Sequence, residues 1–545
     1  MLSLLQAAGL TAVLWAVWKF GLRHYLRPSS LDNVPGPKPE SWIFGSLNTF
    51  FSRHSRPFHE SIWRNYSGVA KLQTFLGRPM LYVWDPKAMH SIVIKDQYTY
   101  EETDVFINFN HMVFGPSLLS SLGNEHRRQR KMLNPVFHIN HMRYMCQTFY
   151  KVTHKLRGAI NKQVLDGPKE IDLMQWFTRT ALELLGQGGL GHSFDSLEDD
   201  TENTFTEDLK TLIPNFRPFL LVSRFLPIYK LNHIGTPAFR RWVVESIPSQ
   251  RIKRCLQIMD RLDGVSRDIL ARKKAALAAG DEALLQSMGE GKDIMSVLLK
   301  ANTQASEDER MPDDEFLGHM CSLMFAAMDT TSGALARIIH LLAQHPDVQE
   351  KLRAEIVEAR RGDGDIDYDQ LVTLPYLEAV CRESLRLHSP ATTMSRQTRE
   401  DVVMPLSQPI RGKDGTMMHE ITVPKGTIVA VGILASNCNE ALWGPDAMEW
   451  KPERWLKPLP QAVLDAHIPG VYSNLMTFLG GGRACIGFKF SQMEMKIVLS
   501  VLLETFKFSP SNKDIYWHLG GLQSPAIGRE GAKAQMPLIV ERISP

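Results

Sequence analysis

Cysteine is scarce in this sequence. The 545 residues include six, at positions 146, 255, 321, 381, 438 and 485, and none forms a C-x-x-C pair. That pattern argues against a thioredoxin-type redox pair and a cysteine-based zinc site. So few cysteines in so long a chain fit a reducing compartment without a disulfide framework. Charge of one sign is lacking too. A net charge of +3 is too small to argue for a nucleic-acid partner. No flavin- or nicotinamide-binding motif occurs, so any electrons the chain uses must arrive from outside. What remains, 44% hydrophobic and 22% charged residues, is ordinary for a globular protein.

The N-terminus lacks a basic residue before its apolar run. Leu2 to Phe20 is broken only by Ser3, Gln6, Thr11 and Lys19, close to the roughly 20 residues that a bilayer span requires. Lys19, Arg23, His24 and Arg27 follow it, and Trp15 and Trp18 stand near one end. The positive-inside rule then places the N-terminus in the lumen and the bulk of the chain in the cytosol. A cleaved signal peptide would want a basic start and a small-residue cleavage site, and neither is convincing. Residues 1–20 are therefore read as a retained transmembrane anchor. Residues 21–40 form a basic and Pro-rich hinge, made stiff and extended by Val34-Pro-Gly-Pro-Lys-Pro39. Residues 41–545 form one large domain.

The most informative stretch is Phe478-Leu-Gly-Gly-Gly-Arg-Ala-Cys-Ile-Gly487. It sets Cys485 among glycines, two residues after Arg483. Glycines without a Cβ allow φ > 0 and close backbone approach to a flat ligand. The apolar run after Gly487 reads as a helix whose N-terminus favours an anion at Cys485. A thiolate held by N–H donors, with Phe478 and an arginine beside it, is what axial ligation of a heme iron requires. Without further support, the same loop is a turn with a structural cysteine.

Support comes from elsewhere in the chain. Val69–Leu76 and Pro79–Val83 read as a hairpin, and Asp85-Pro86 opens a short helix. Gly123–Lys131 is a basic helix start in which His126 and Arg130 share a face. That face suits paired carboxylates, although a charge run usually means a solvated surface. Leu212–Ile228 is apolar, rich in phenylalanine and broken by Pro214, Pro218 and Pro227, as in a lid over a cavity or an ordinary core segment. Pro312-Asp-Asp-Glu starts a long apolar helix that Pro346 stops. Ala326-Ala-Met-Asp-Thr-Thr331 in its middle places polar groups where they cost stability unless hydrogen-bonded. Glu383 and Arg386 face the same way on a later helix, and Pro452-Glu-Arg-Trp455 can bring Arg454 to the same carboxylate.

These residues, in this order, resemble the microsomal cytochrome P-450 family of heme-thiolate monooxygenases, with a fungal look to the wording. The match runs from the hinge to the C-terminus. F-x-x-G-x-R-x-C-x-G is met at every fixed position, as is the E-x-x-R pair. Two departures stand out: His126 replaces the family's usual tryptophan and Ala327 its usual glycine. The resemblance implies a mainly α fold with small β-sheets (α+β), a single catalytic domain at 41–545. It implies heme (iron protoporphyrin IX) with Cys485 as the metal ligand, its thiolate favouring O–O bond cleavage. Asp329 and Thr330 would be the catalytic proton relay. His126, Arg130, Arg396 and Arg483 would hold the propionates, with Phe478 and Gly487 completing the cofactor site. Glu383, Arg386 and Arg454 would be structural.

The implied reaction inserts one oxygen atom into an apolar substrate by hydroxylation or epoxidation. Electrons would come from NADPH-cytochrome P-450 reductase, docked through Arg127, Arg128, Lys131 and Lys489, at the endoplasmic reticulum membrane. Terpenoid or polycyclic secondary metabolites are the first expectation for substrate, and broad oxidation of xenobiotic aromatics the second. A heme-thiolate isomerase or dehydratase working without reductase is a rival, disfavoured because such proteins tend to lose the Asp-Thr pair. A heme sensor without turnover is another rival. Pocket residues are expected from 101–122, 212–228, around Phe325 and Met328, 390–394 and 522–527.

Overall fold

The computed structural model describes residues 28–198, 204–223, 234–280, 291–360, 362 and 364–543, with Thr11 alone before them. The expected anchor and the basic part of the hinge lie outside these residues. No helix among the described residues is long and apolar enough to cross a membrane.

The described chain is mainly helical with small sheets, as the resemblance implied. The helices that build the site are α1 (Gly123–Leu133), α2 (Ile139–Gln163), α3 (Leu173–Leu184), α4 (Thr204–Ser223), α5 (Gln250–Ala279), α6 (Asp313–Gln344), α7 (Pro346–Ala359), α8 (Pro375–Leu387) and α9 (Phe488–Thr505). The strands are β1 (Val69–Gln73), β2 (Pro79–Val83), β3 (Tyr100–Glu102), β4 (Lys169–Asp172), β5 (Thr393–Thr398), β6 (Val402–Arg411), β7 (Met417–Val423), β8 (Ile428–Gly432), β9 (Phe506–Pro510), β10 (Ile515–His518), β11 (Ser524–Ile527) and β12 (Pro537–Arg542).

α6 is the axis. Pro312 stands at its N-cap, and Asp313, Asp314 and Glu315 fill the first turn, where they complement the helix dipole. Thirty-two residues long, it spans about 48 Å at ~1.5 Å per residue. It packs against α3, α5, α8 and α9. A helix with several packing partners buries more than one stripe, which is why its sequence is apolar nearly all round.

The largest sheet has the order β1-β2-β8-β5-β3, with β2 and β8 parallel and the other neighbours antiparallel. Leu81, Tyr82 and Val83 of β2 and Val429, Ala430 and Val431 of β8 are fully buried, as expected of strands covered on both faces. The sheet fixes Arg396, which pairs with Val429 on β8 and with Glu102 on β3.

Three expectations are corrected. The Pro-rich segment is not a free connector from residue 28 onward. Leu31 and Val34 are fully buried, Lys71 N–H donates to Pro35 O at 2.8 Å, and a Cβ on Gly36 would lie 1.9 Å from Lys71 O. The segment docks because it has apolar side chains to bury and a strand edge to bond. Second, α4 runs unbroken through Pro214 and Pro218. Each proline removes one helical bond and costs about 3 kcal/mol. Burial of Leu209, Leu212 and Phe216, at ~1.5–3 kcal/mol each, offsets that cost. Third, the first hairpin strand ends at Gln73 rather than Leu76, because Leu76 turns into the left-handed region at φ 49°.

Candidate active site

The cysteine loop leads into α9, whose N-cap is Gly487. Cys485 N–H donates to Phe478 O at 2.9 Å, which closes the loop. The backbone N–H of Gly487 is directed at the thiol. Burial pushes the Cys485 thiol above its ordinary pKa, while that N–H and the charge of Arg130 favour the thiolate. The other five cysteines are buried, whereas Cys485 keeps open surface. The thiols of Cys146 and Cys381 are pushed up to about 12 by burial. Phe478 packs in an aromatic group with Phe488, ring centroids 4.7 Å apart, and Tyr472 at 5.8 Å.

The glycines divide into two kinds, and this corrects the expectation that all four meet a flat ligand. Gly480 and Gly481 are pressed against protein: an added Cβ would lie 1.7 Å from Pro469 O and from Val93 O respectively. At Gly482 it would lie 2.6 Å from Gln97 Oε1. Only Gly481 of the three needs a left-handed φ, at 67°. Gly487 differs. Its φ of −82° suits any residue, and a Cβ there meets nothing within 4 Å. This glycine beside Cys485 is the one that leaves room for a planar group.

His126 and Arg130 lie one turn apart on α1, Arg396 comes from β5 and Arg483 from the loop. The fold gathers them. His126 feels the charges of Arg483, Arg130 and Arg396, and burial together with these cations pushes its pKa down to about 3. It is a neutral imidazole at physiological pH. Arg130 Nη1 donates to Ala484 O at 2.5 Å, tying α1 to the cysteine loop. Arg483 Nη2 donates to Ser121 O at 2.8 Å. Arg396 Nη1 is paired with Glu102 Oε2 at 2.9 Å, both buried. The donor set is one neutral N–H group and three guanidiniums beside a cysteine, with Glu101 and Glu102 acting on Arg483. An excess of planar cationic forks around one place fits a cofactor bearing carboxylates.

On α6, Asp329 and Thr330 are half-buried, as are Phe325, Ala326 and Ala327 just before them, in a helix that is mostly buried. Thr330 Oγ1 donates to Ala326 O at 2.7 Å, the back-bond that resolves the cost of a polar residue in the helix middle. Asp329 lines a cavity of about 2380 Å³ that also takes in Phe109, Phe325, Met394 and Leu522. Burial raises its pKa to about 6, with Lys210 pulling the other way. The expected pocket segments 101–122, 390–394 and 522–527 all contribute, and Ile213 and Pro214 represent 212–228. Met328 does not line the cavity; it is fully buried in the core on another face of α6. Lys210 escaped sequence reading, although a lysine inside the apolar run Leu209–Ile213 was a visible signal.

The scaffold group is complete. Arg386 makes two bonds of 2.8 Å to Glu383, and Arg454 Nε donates to Glu383 Oε1 at 3.3 Å. Trp455 Nε1 and the Lys451 N–H satisfy the same carboxylate. Among the expected docking residues, Arg128 is corrected. It turns inward to an ion pair with Glu315, because a buried carboxylate on α6 needs a cation more than the surface does. Lys131 pairs with Glu309 at 2.9 Å, and Arg127 lies over the Tyr98 ring at 4.7 Å.

A cysteine-bearing loop ahead of α9, a long helix with an acid and an alcohol at its middle, and a buried Glu-Arg-Arg group define the class. The sequence profile of cytochrome P-450 matches residues 35–519, and the chain belongs to that family. It is similar to a cytochrome P-450 monooxygenase of Postia placenta, 52% identical over 543 residues, covering 100% of this chain and 99% of the relative. A second from the same organism is 49% identical, covering 96% and 95%. The ganoderic acid synthetase of Ganoderma lucidum is 45% identical over 548 residues, covering 100% and 99%. The chain is an oxidoreductase of the monooxygenase type, and its family uses heme with a cysteine thiolate ligand.

Proposed function

We propose that this enzyme uses dioxygen to hydroxylate or epoxidise an apolar terpenoid or polycyclic secondary metabolite, with electrons from NADPH through a separate reductase. Cys485 is the residue that holds the heme iron, and His126, Arg130, Arg396 and Arg483 hold its propionates. When bound, the heme supplies the dioxygen chemistry. The chain's own residues do the rest. The Gly487 N–H and Arg130 favour the thiolate form of Cys485 that the heme iron would hold. Phe478, packed against Phe488, shields the sulfur from water. Asp329 carries protons from solvent toward Thr330, whose hydroxyl hands them on. The apolar wall at Phe109, Phe325 and Leu522 excludes bulk water and orients the substrate.

Asp329 carries this reading. A carboxyl on the cavity wall with its pKa raised to about 6 exchanges protons near neutrality, as a relay must. The cavity, larger than the few hundred to about 1,000 Å³ of common small-molecule sites, suits a polycyclic skeleton and its route in. The likeness to a ganoderic acid synthetase supports the same substrate class. Residues 1–20 anchor the 41–545 catalytic domain to the endoplasmic reticulum membrane from the cytosolic side. Arg127 and Lys489 are the charges left to meet an acidic reductase. The test is product formation from a terpenoid panel with NADPH, reductase and air. Product formed from peroxide substrates without reductase, and none from NADPH and air, would replace this reading with an isomerase.

A further inference from the structure

Lys210 stands on α4 between the buried Leu209 and Leu212, and its side chain lines the same cavity as Phe109, Phe325, Asp329 and Leu522. The ammonium makes no hydrogen bond or ion pair with any described residue; its partners act only at longer range. Asp329, Asp172 and Glu207 favour its charge and Lys533 opposes it, while burial pulls its pKa down. An ammonium has three donors to satisfy, and drawing them into a mostly apolar cavity unmet is costly.

The surrounding charges say what kind of acceptor suits it. Asp329, Asp172 and Glu207 already balance Lys210 and Lys533 at longer range, so what the ammonium lacks is a hydrogen-bond acceptor rather than a counter-charge. A hydroxyl or carbonyl oxygen accepts one N–H without adding charge. We propose that Lys210 is a specificity-determining residue that donates a hydrogen bond to a hydroxyl or carbonyl oxygen already present on an otherwise apolar substrate. This rests on the cavity being the substrate site of the enzyme proposed above. The reaction then follows one that has already placed an oxygen on the skeleton, and is not the first oxygenation of a plain hydrocarbon.

The test is equilibrium dialysis of the full-length, heme-loaded protein with androstane, androstanol and androstanone, which share one skeleton. The wild type binds the two oxygenated steroids about 10- to 100-fold more tightly than androstane, the range of a hydrogen bond to a charged group. Lys210→Met brings the ratio to about one without weakening androstane, and Lys210→Arg keeps most of the preference. No preference in the wild type, a preference that survives Lys210→Met, or no binding of any of the three overturns the proposal. A changed pH profile of turnover in Lys210→Met with an unchanged binding ratio also overturns it, since Lys210 then serves Asp329 alone. Dialysis needs no turnover. A Lys210-dependent preference in protein that forms no NADPH-dependent product would sink the monooxygenase reading and leave this one standing.

Discussion

Two side chains carry opposite electrostatic tasks, and each can be tested alone. Cys485 must stay ionised in a place where burial opposes ionisation. Cys485→Ala removes the proposed ligand and should abolish both the thiolate-type spectrum and turnover. Cys485→Ser should retain weakly held heme with an altered Soret band, as absorption spectra of the purified variants would report. Asp329 must instead stay protonatable. Its donor form is lost as pH rises through about 6, so the product formed per NADPH consumed should fall across that point. Asp329→Asn should lower product formation by about 100-fold, leave NADPH oxidation running and flatten that dependence. Linkage has the same sign. The folded state holds the Asp329 proton more tightly than the unfolded chain, so its contribution to stability is lost as pH rises from about 4 to 6. Thermal melts of the Asn variant should lack that component.

At the scale of elements, the Glu383, Arg386 and Arg454 group joins α8 to the loop that precedes the cysteine. Arg386 also donates to the carbonyls of Asn437 and Ala447, and Asn437 in turn holds the Met476 N–H at 2.9 Å. Glu383→Ala would leave the buried Arg386 without its carboxylate, while Arg454 keeps only Asp446, a loss of about 3–5 kcal/mol. Little folded protein should be recovered, and a spectrum of what remains should show inactive heme or none. This group and the cysteine loop were legible in the sequence because their chemistry sits at fixed, short spacings. So were the hairpin and the start of α6 at Pro312. What stayed hidden depends on partners far away in the chain. Arg128 turns inward because Glu315 waits on another helix. Gly480 and Gly481 are glycines because Pro469 and Val93 crowd them. Pro214 and Pro218 look like helix breaks until the burial of Leu212 and Phe216 is known.

For the whole molecule, the proposed function requires a second protein, an acidic reductase. A net charge of +3 makes no strong overall field, so its docking would rest on local basic residues. Under the proposed function Arg127 and Lys489 would meet it, with Arg128 paired to Glu315 and Lys131 in an exposed pair with Glu309. Charge reversal at Arg127 and Lys489 should raise the reductase concentration needed for half-maximal turnover several-fold. The effect should shrink as salt screens the interface. An unchanged requirement at low salt would show that the partner docks elsewhere. All of these expectations assume that Cys485 ligates heme as a thiolate. The most direct test is the carbon monoxide difference spectrum of the reduced, well-folded protein. The thiolate-type Soret band should be present in the wild type and absent in Cys485→Ala; its absence from folded, heme-loaded wild type, or its survival in Cys485→Ala, would contradict the account.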